Sequence, residues 1–226
     1  MVAEAARHGG GGGGHVSGPI VVKLGGSLFQ VGGTDARPRF GALLEILARA
    51  GRPVVIVPGG GVFADCVRSA QTRLGLSDPA AHRMALLAMH QMASVIVDLQ
   101  PTPGRMILAG SLDDLARSMD NGMIPVWQPL PMLDAAPDLP LDWSITSDGL
   151  AAWLGAKIGA ERVVLVKSVA MTAGASAERL MRDGVVDPMF GPIISRAGLA
   201  WSIIGRGDEE RLAALVEADM QPGVSC

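Results

Sequence analysis

Short runs of β-branched residues, each followed by a stretch with helical spacing, constrain the fold of this chain more than any other feature. Ile20-Val21-Val22 precedes a pattern over 39–49 in which Phe40, Leu43, Leu44 and Leu47 share one face. Val54-Val55-Ile56-Val57 precedes a second helical stretch over 62–72. Strands that are apolar throughout, with no alternation, are covered on both faces. Ser77-Asp78-Pro79 opens the longest expected helix, 80–99, rich in Ala, Leu and Met. Met106-Ile107-Leu108 and Ile124-Pro125-Val126-Trp127 read as strands around a helix at 112–119, with a turn at Asn121-Gly122. Beyond the proline-bearing stretch 135–140 the logic resumes. A capped helix is expected over 146–157, a strand over 162–166, part of a short helix at 196–199, a strand over 201–204 and a closing helix over 209–217. This order predicts an α/β three-layer αβα sandwich with a mainly parallel central sheet, divided at 135–140 into halves spanning about 19–134 and 141–226.

Composition narrows the function classes. A chain of 226 residues with 49% hydrophobic content can bury a full core. Its net charge of −3 and its scattered basic residues leave no electrostatic footprint for nucleic acid. Cys66 and Cys226 are too few for a disulfide framework or a Cys-rich zinc site. No apolar run approaches the ~18 residues that span a bilayer, and the N-terminus lacks a signal-peptide layout, so no membrane partner and a cytoplasmic setting are expected. Residues 1–18, with glycines at 9–14 between His8 and His15, read as a flexible Gly-rich tail. That glycine run follows no strand and carries no lysine, which argues against a nucleotide loop.

Two glycine turns carry the chemistry. Lys23-Leu24-Gly25-Gly26-Ser27 places a lysine at a strand's C-terminal end, where parallel sheets bind ligands; the lysine precedes the glycines, so the turn is not a P-loop. Pro58-Gly59-Gly60-Gly61 offers bare backbone for an anion at a helix start. A plain structural turn, with a solvated lysine in the first case, is the competing reading of each. In Ile145-Thr146-Ser147-Asp148, Thr146 or Ser147 is a helix cap, and Asp148 is either part of that cap or an anchor for Lys23 or Lys167. Lys167 closes the strand 162–166 and either reaches a phosphate or points to solvent. Asp65 and Arg68 could read acceptor groups or form an i,i+3 ion pair within their helix. The methionines and Trp153 read as core packing, and His82 and His90, lacking a third ligand, do not define a metal site; none is expected.

In this order, Val21-Val22-Lys23-Leu24-Gly25-Gly26-Ser27, Val55-Ile56-Val57-Pro58-Gly59-Gly60-Gly61 and Ile145-Thr146-Ser147-Asp148-Gly149-Leu150 resemble the amino acid kinase superfamily from about Ile20 onward. Within it the chain is most similar to the small kinases of furan cofactor assembly, which phosphorylate [5-(aminomethyl)furan-3-yl]methyl phosphate to the diphosphate on the way to methanofuran-type C1 carriers. The likeness includes Gly61-Val62-Phe63-Ala64 leading to Val67-Arg68, Ala81-His82-Arg83, Trp143, and Val186-Asp187 before Phe190. The resemblance implies ATP and Mg²⁺, a small phosphorylated substrate and a homo-oligomer, dimer or higher. It also implies Lys23, Asp148 and Lys167 as catalytic residues. Gly59, Gly60, Gly61, Asp65 and Arg68 would bind the acceptor, and Gly25, Gly26, Ser27, Thr146, Ser147 and Lys167 the nucleotide. Other phosphate acceptors such as uridine monophosphate, and a non-catalytic binding relative, are the alternatives. Ser168-Val169-Ala170-Met171 departs from the Asp-Val-Asp-Gly usual in the family.

Overall fold

A computed structural model describes residues 18–29, 36–134, 138–171 and 174–217. The expected tail, apart from Gly18, and residues 135–137 of the expected boundary lie outside them. Among the described residues a six-stranded sheet runs in the order β3-β4-β2-β1-β5-β6, and every recorded pairing is parallel. The strands are β1 (Ile20–Leu24), β2 (Val54–Pro58), β3 (Met106–Ala109), β4 (Ile124–Trp127), β5 (Arg162–Val166) and β6 (Ala200–Ile204). The helices are α1 (Ala36–Ala48), α2 (Gly61–Leu74), α3 (Asp78–Asp98), α4 (Leu112–Asp120), α5 (Leu130–Leu133), α6 (Ser147–Lys157), α7 (Ala177–Arg182), α8 (Phe190–Ala197) and α9 (Glu209–Val216).

The period of two along a strand assigns side chains to the two faces. Ile20, Val22 and Leu24 pack with Leu43, Leu44 and Leu47 of α1 and with Leu212 and Val216 of α9. Val21, Val55, Val163 and Leu165 face the other way, onto Leu150 and Leu154 of α6 and Phe190 and Ile194 of α8. Each such side chain contributes about 1.5–3 kcal/mol by leaving water, which is why the strands need no polar residues. Lys23, two places after Val21, falls on the α6 face, an exception that only a buried partner makes tolerable.

From β1 the chain crosses toward β2, whereas from β5 it crosses to β6 on the opposite side. The switch point therefore lies between β1 and β5, which pair with Leu24 opposite Val166, and it opens a crevice at their C-terminal ends. The expected strands and long helices are present with small shifts at their ends. Three elements are additional: a 3₁₀ turn at Gly26–Phe29, α5 and α7. The short helix expected at 196–199 is α8, which begins back at Phe190; Pro192 falls in its first turn, where a missing N–H costs nothing. No helix among the described residues is long and apolar enough to cross a membrane.

Candidate active site

Strand geometry brings three charges together under the crevice. The Lys23 ammonium lies 2.8 Å from Asp148 Oδ1, and that of Lys167 lies 2.8 Å from Oδ2 and donates to the Val185 carbonyl at 2.7 Å. Lys23 is only 4% exposed and Asp148 5%. The solvated reading of both lysines is thereby corrected: each has a buried counter-charge, and burying an ammonium group without one is prohibitive. Lys23 approaches Oδ1 outside hydrogen-bonding geometry, so among the described residues that oxygen has an ionic neighbour but no hydrogen-bond donor. Burial acts to raise the Asp148 carboxyl, but the charges of Lys23 and Lys167 outweigh it and hold the group below the ordinary carboxylate range. Burial, and then the Lys23 charge, pull the Lys167 ammonium down to about 8 against the attraction of Asp148. Two ammonium groups share the Asp148 carboxylate directly, and the Asp187 carboxyl also attracts Lys167.

Asp148 is held by the first turn of α6, whose cap differs from expectation. Thr146 occupies the N-cap position, yet its hydroxyl caps nothing. It donates instead to Asp187 Oδ2 at 2.8 Å, and the same oxygen accepts from the N–H groups of Thr146 and Gly149, both at 2.8 Å. Asp187 Oδ1 accepts from Phe190 N at 3.1 Å. A carboxylate from a distant loop therefore does the work of the local cap and fixes α6 against α8. Burial raises the Asp187 carboxyl above its ordinary value, against the hydrogen bonds from Gly149 and Thr146.

The glycine turns lock into each other, backbone against backbone. A Cβ on Gly59 would lie 2.4 Å from the Gly26 nitrogen, and one on Gly26 would lie 2.7 Å from the Gly61 nitrogen. Gly61 itself has φ +55, a region that favours glycine. The structural reading of the turns holds at Gly26, Gly59 and Gly61, where the close packing leaves no room for a Cβ. Gly59 N donates to Leu24 O and Gly25 N to Val166 O, so these two glycines, expected to bind the acceptor and the nucleotide, shape the turns with their N–H groups already engaged. The amides suited to an anion are those at the start of α2, where Gly60 is the N-cap and supplies no side-chain cap.

Above this floor lies a cavity of about 210 Å³. The glycine turns contribute Gly26, Ser27, Gly60 and Gly61 to its wall, α2 contributes Ala64, Asp65 and Arg68, and the segment before and into α6 contributes Trp143, Ile145, Thr146, Ser147 and Leu150. The expected acceptor and nucleotide residues therefore meet around one space, except for Gly25 and Gly59; Lys23, Asp148 and Lys167 do not line it. His82, Ala85, Leu86 and Met89 of α3 complete the wall, so Met89 does more than fill the core. The expected Asp65–Arg68 ion pair is replaced by a different contact: the Arg68 guanidinium lies 3.9 Å from the Trp143 ring centroid. Trp143 Nε1 donates to Gln71 Oε1 at 2.6 Å, tying the loop to α2. His90 faces elsewhere and accepts from Leu130 N at 3.0 Å, while among the described residues no three His, Cys, Asp or Glu side chains cluster for a metal.

The departing segment 168–171 sits at the same crevice. Ser168 Oγ is 2.7 Å from Ser27 Oγ, Arg206 N donates to Val169 O, and a Cβ on Gly205 would meet Met171 N at 2.5 Å. These contacts join the β1, β5 and β6 ends into one rim.

The fold and site define an α/β sandwich protein that gathers buried positive charge and glycine-turn amides at a topological switch point. The chain belongs to the amino acid kinase family, which it matches over residues 18–182. It is 30% identical over 149 residues to [5-(aminomethyl)furan-3-yl]methyl phosphate kinase of Methanocaldococcus jannaschii, an alignment covering 66% of this chain and 65% of that protein. Its fold is shared with uridylate kinase from Archaeoglobus fulgidus, with TM-score 0.62, 17% identity and 87% of this chain aligned to 94% of that one. Isopentenyl phosphate kinase superposes with TM-score 0.57 at 17% identity, over 86% of this chain and 96% of the other.

Asp187, His82 and Trp143 were not among the expected site residues. Asp187 lies far in sequence from the helix it caps, and no local spacing announces it. His82 was weighed only as a metal ligand and as part of a segment of family likeness, and Trp143 stands in another such segment.

Proposed function

We propose that the chain is an ATP-dependent phosphotransferase whose acceptor is itself a phosphate, [5-(aminomethyl)furan-3-yl]methyl phosphate, which it converts to the diphosphate. The observation that carries this reading is the buried Lys23–Asp148–Lys167 cluster next to the glycine turns, which wall a cavity. A phosphate oxygen of the acceptor attacks the γ-phosphorus of ATP, the bond to the ADP oxygen breaks, and the developing charge needs positive partners more than proton transfer. The acceptor phosphate is already anionic at neutral pH, so no general base is required. Lys23 neutralises the transferring group, Lys167 holds the nucleotide phosphates, and Asp148 orients both ammonium groups. Gly26, Gly60 and Gly61 provide the backbone surface against which the phosphates lie, and Ser27, Thr146 and Ser147 provide hydroxyls.

Residues 19–134 supply most of the acceptor side through α2 and α3, and residues from 141 onward the nucleotide side. A second cavity of about 220 Å³, lined by Met171, Trp201, Ile203 and Arg211 among others, offers apolar surface for a base near β6. Mg²⁺ bound with ATP would add charge neutralisation, and among the described residues no cluster of carboxylates or histidines would hold it without the nucleotide. Asp65, exposed at the rim, attracts the acceptor's ammonium, so an unchanged KM for the acceptor in Asp65→Asn would count against that role. The reading carries a cytoplasmic homo-oligomer, for which the exposed Met84 and Leu87 of α3 offer a contact face. Monomer mass in solution at micromolar concentration would oppose this.

The decisive experiment is ADP release from Mg-ATP with the furan phosphate, uridine monophosphate, isopentenyl phosphate or no acceptor. Turnover that depends on the furan phosphate is expected. Turnover with another acceptor moves the substrate, and none with any of them favours a binding protein.

A further inference from the structure

The acceptor cavity has two chemically different ends. Helices α2 and α3 run antiparallel: a Cβ on Gly61, at the start of α2, would touch Met92 Sδ, while Gln71 near its end donates to Asp78 Oδ1 at the start of α3 at 2.8 Å. Along α2 the wall passes from Gly61 to Ala64, Asp65 and Arg68, a rise of about 10 Å at the α-helical pitch. Along α3 it passes in the opposite sense, from Met89 through Leu86 and Ala85 to His82. One end is therefore the glycine turn, suited to phosphate, the middle is apolar, and the far end is His82.

His82 is 6% exposed, and what exposure it has belongs to a cavity wall. Its Nδ1 lies 3.2 Å from the Asp142 carbonyl oxygen. A carbonyl only accepts, so Nδ1 carries the proton, and in the neutral ring Nε2 is left as an acceptor. Nε2 has no protein partner among the described residues. The fully buried side-chain atoms without a partner among the described residues are Arg52 Nε and Asp148 Oδ1, so Nε2 keeps its contact with the solvent of the cavity, and a ligand that displaces that water must replace its hydrogen bond. The Arg68 guanidinium at the same end is exposed and held over the Trp143 ring, so water and that ring screen it.

On the proposed reading of this site as a phosphate-acceptor kinase, we infer that His82 is a specificity-determining residue. Its Nε2 accepts a hydrogen bond from an N–H donor at the acceptor's far end, opposite the phosphate. The acceptor class is then a phosphomonoester with a flat apolar middle and a distal amine, and Asp65 at the rim adds charge without setting the geometry. A site built around a buried acceptor atom rejects an analogue that lacks the donor, because the atom is then desolvated without compensation.

The test compares two ligands, the aminomethylfuran phosphate and the same molecule with methyl in place of aminomethyl, by calorimetry without ATP. Wild type should prefer the amine by about 10-fold or more, the range for one hydrogen bond to a charged donor. His82→Asn keeps a side-chain N–H near Nδ1 for the Asp142 carbonyl and removes Nε2. It should lose the preference, and the methyl analogue, which no longer covers an unpaired acceptor, should bind no more weakly than it does to wild type. An equal preference in wild type and variant, or none in wild type, overturns the assignment. Transfer from Mg-ATP, followed separately on the same proteins, distinguishes the two readings: an amine preference that depends on His82 without any transfer sinks the kinase reading alone, and transfer with a preference indifferent to His82 sinks this one alone.

Discussion

Lys23 and Lys167 stand on neighbouring strands and reach the same carboxylate, yet the chain treats them differently. Lys23 is inside β1, and its recorded partner is Asp148. Lys167 stands just beyond β5, donates to Asp148 and to the Val185 carbonyl, and is additionally fixed through its backbone, whose carbonyl accepts from Arg39 at 2.9 Å. The more exposed of the two is thus the more heavily tied. Its ammonium is also the one pulled down to about 8 by burial and by the Lys23 charge. On the proposed reading the contrast divides the work of one carboxylate between two phosphate ligands: Lys23, whose recorded partner is Asp148, would turn toward the transferring group, while Lys167, tied also to the Val185 carbonyl, would stay fixed.

The severest way to break this comparison is to remove what the lysines share. Asp148→Asn leaves two buried ammonium groups without the carboxylate they share, and a loss of about 3–5 kcal/mol in denaturant unfolding is expected. A loss below about 1 kcal/mol, the size of an ordinary surface pair, would show that the cluster is not held by Asp148. Lys23→Ala comes next and should separate chemistry from folding. We expect a fall in kcat of about 10²-fold or more, on the scale of losing one charge-stabilising donor, with the midpoint of unfolding changed far less than in Asp148→Asn. Near-normal turnover would remove Lys23 from the mechanism.

Much of this arrangement was legible before the structure. The β-branched strands, the order of elements and the two glycine turns follow from local pattern, because parallel strands covered on both faces and tight turns leave marks within a few residues. What pattern could not supply is any relation that closes over long sequence distance. Asp187 caps α6 from another segment, Arg68 leaves its helical neighbour Asp65 for the Trp143 ring, and Gly59 owes its missing Cβ to Gly26. Helix α7 had a local signal that went unread: Ser176 Oγ accepts from Arg179 N at 3.3 Å, an ordinary cap ahead of a short helix. The solvated reading of the lysines failed for a physical reason, since a strand-end lysine looks alike in sequence whether or not a carboxylate waits across the sheet.

A milder change sharpens the comparison by loosening only the fixed lysine. Arg39 of α1 donates to the Lys167 carbonyl and to the Gly205 carbonyl, each at 2.9 Å, and pairs with Glu209 of α9. It holds the ends of β5 and β6 in place while touching neither Lys23 nor Asp148. Arg39→Met should therefore raise the KM for ATP by about 10-fold, on the scale of one hydrogen bond from a charged donor, with the KM for the acceptor little changed. Equal increases in both constants would mean that the rim moves as one body and that the lysines are not separately supported.

A further effect is in pH, and it has opposite signs for stability and catalysis. In the folded chain Lys167 gives up its proton near 8, whereas in the unfolded chain it holds it to near 10.5. Between these values the unfolded state binds more protons, so stability rises with pH across this window, and below about 8 the folded chain bears the cost of the buried ammonium. Catalysis runs the other way, because the neutral amine no longer attracts a phosphate, and kcat/KM for ATP should fall as pH passes about 8. Lys167→Met removes the titrating group, so both slopes should flatten together. A falling limb that survives in that variant belongs to another group. A stability curve with the same slope in both proteins would mean that the Lys167 ammonium is not destabilised by burial, and the contrast between the two lysines would then reduce to hydrogen-bond geometry alone.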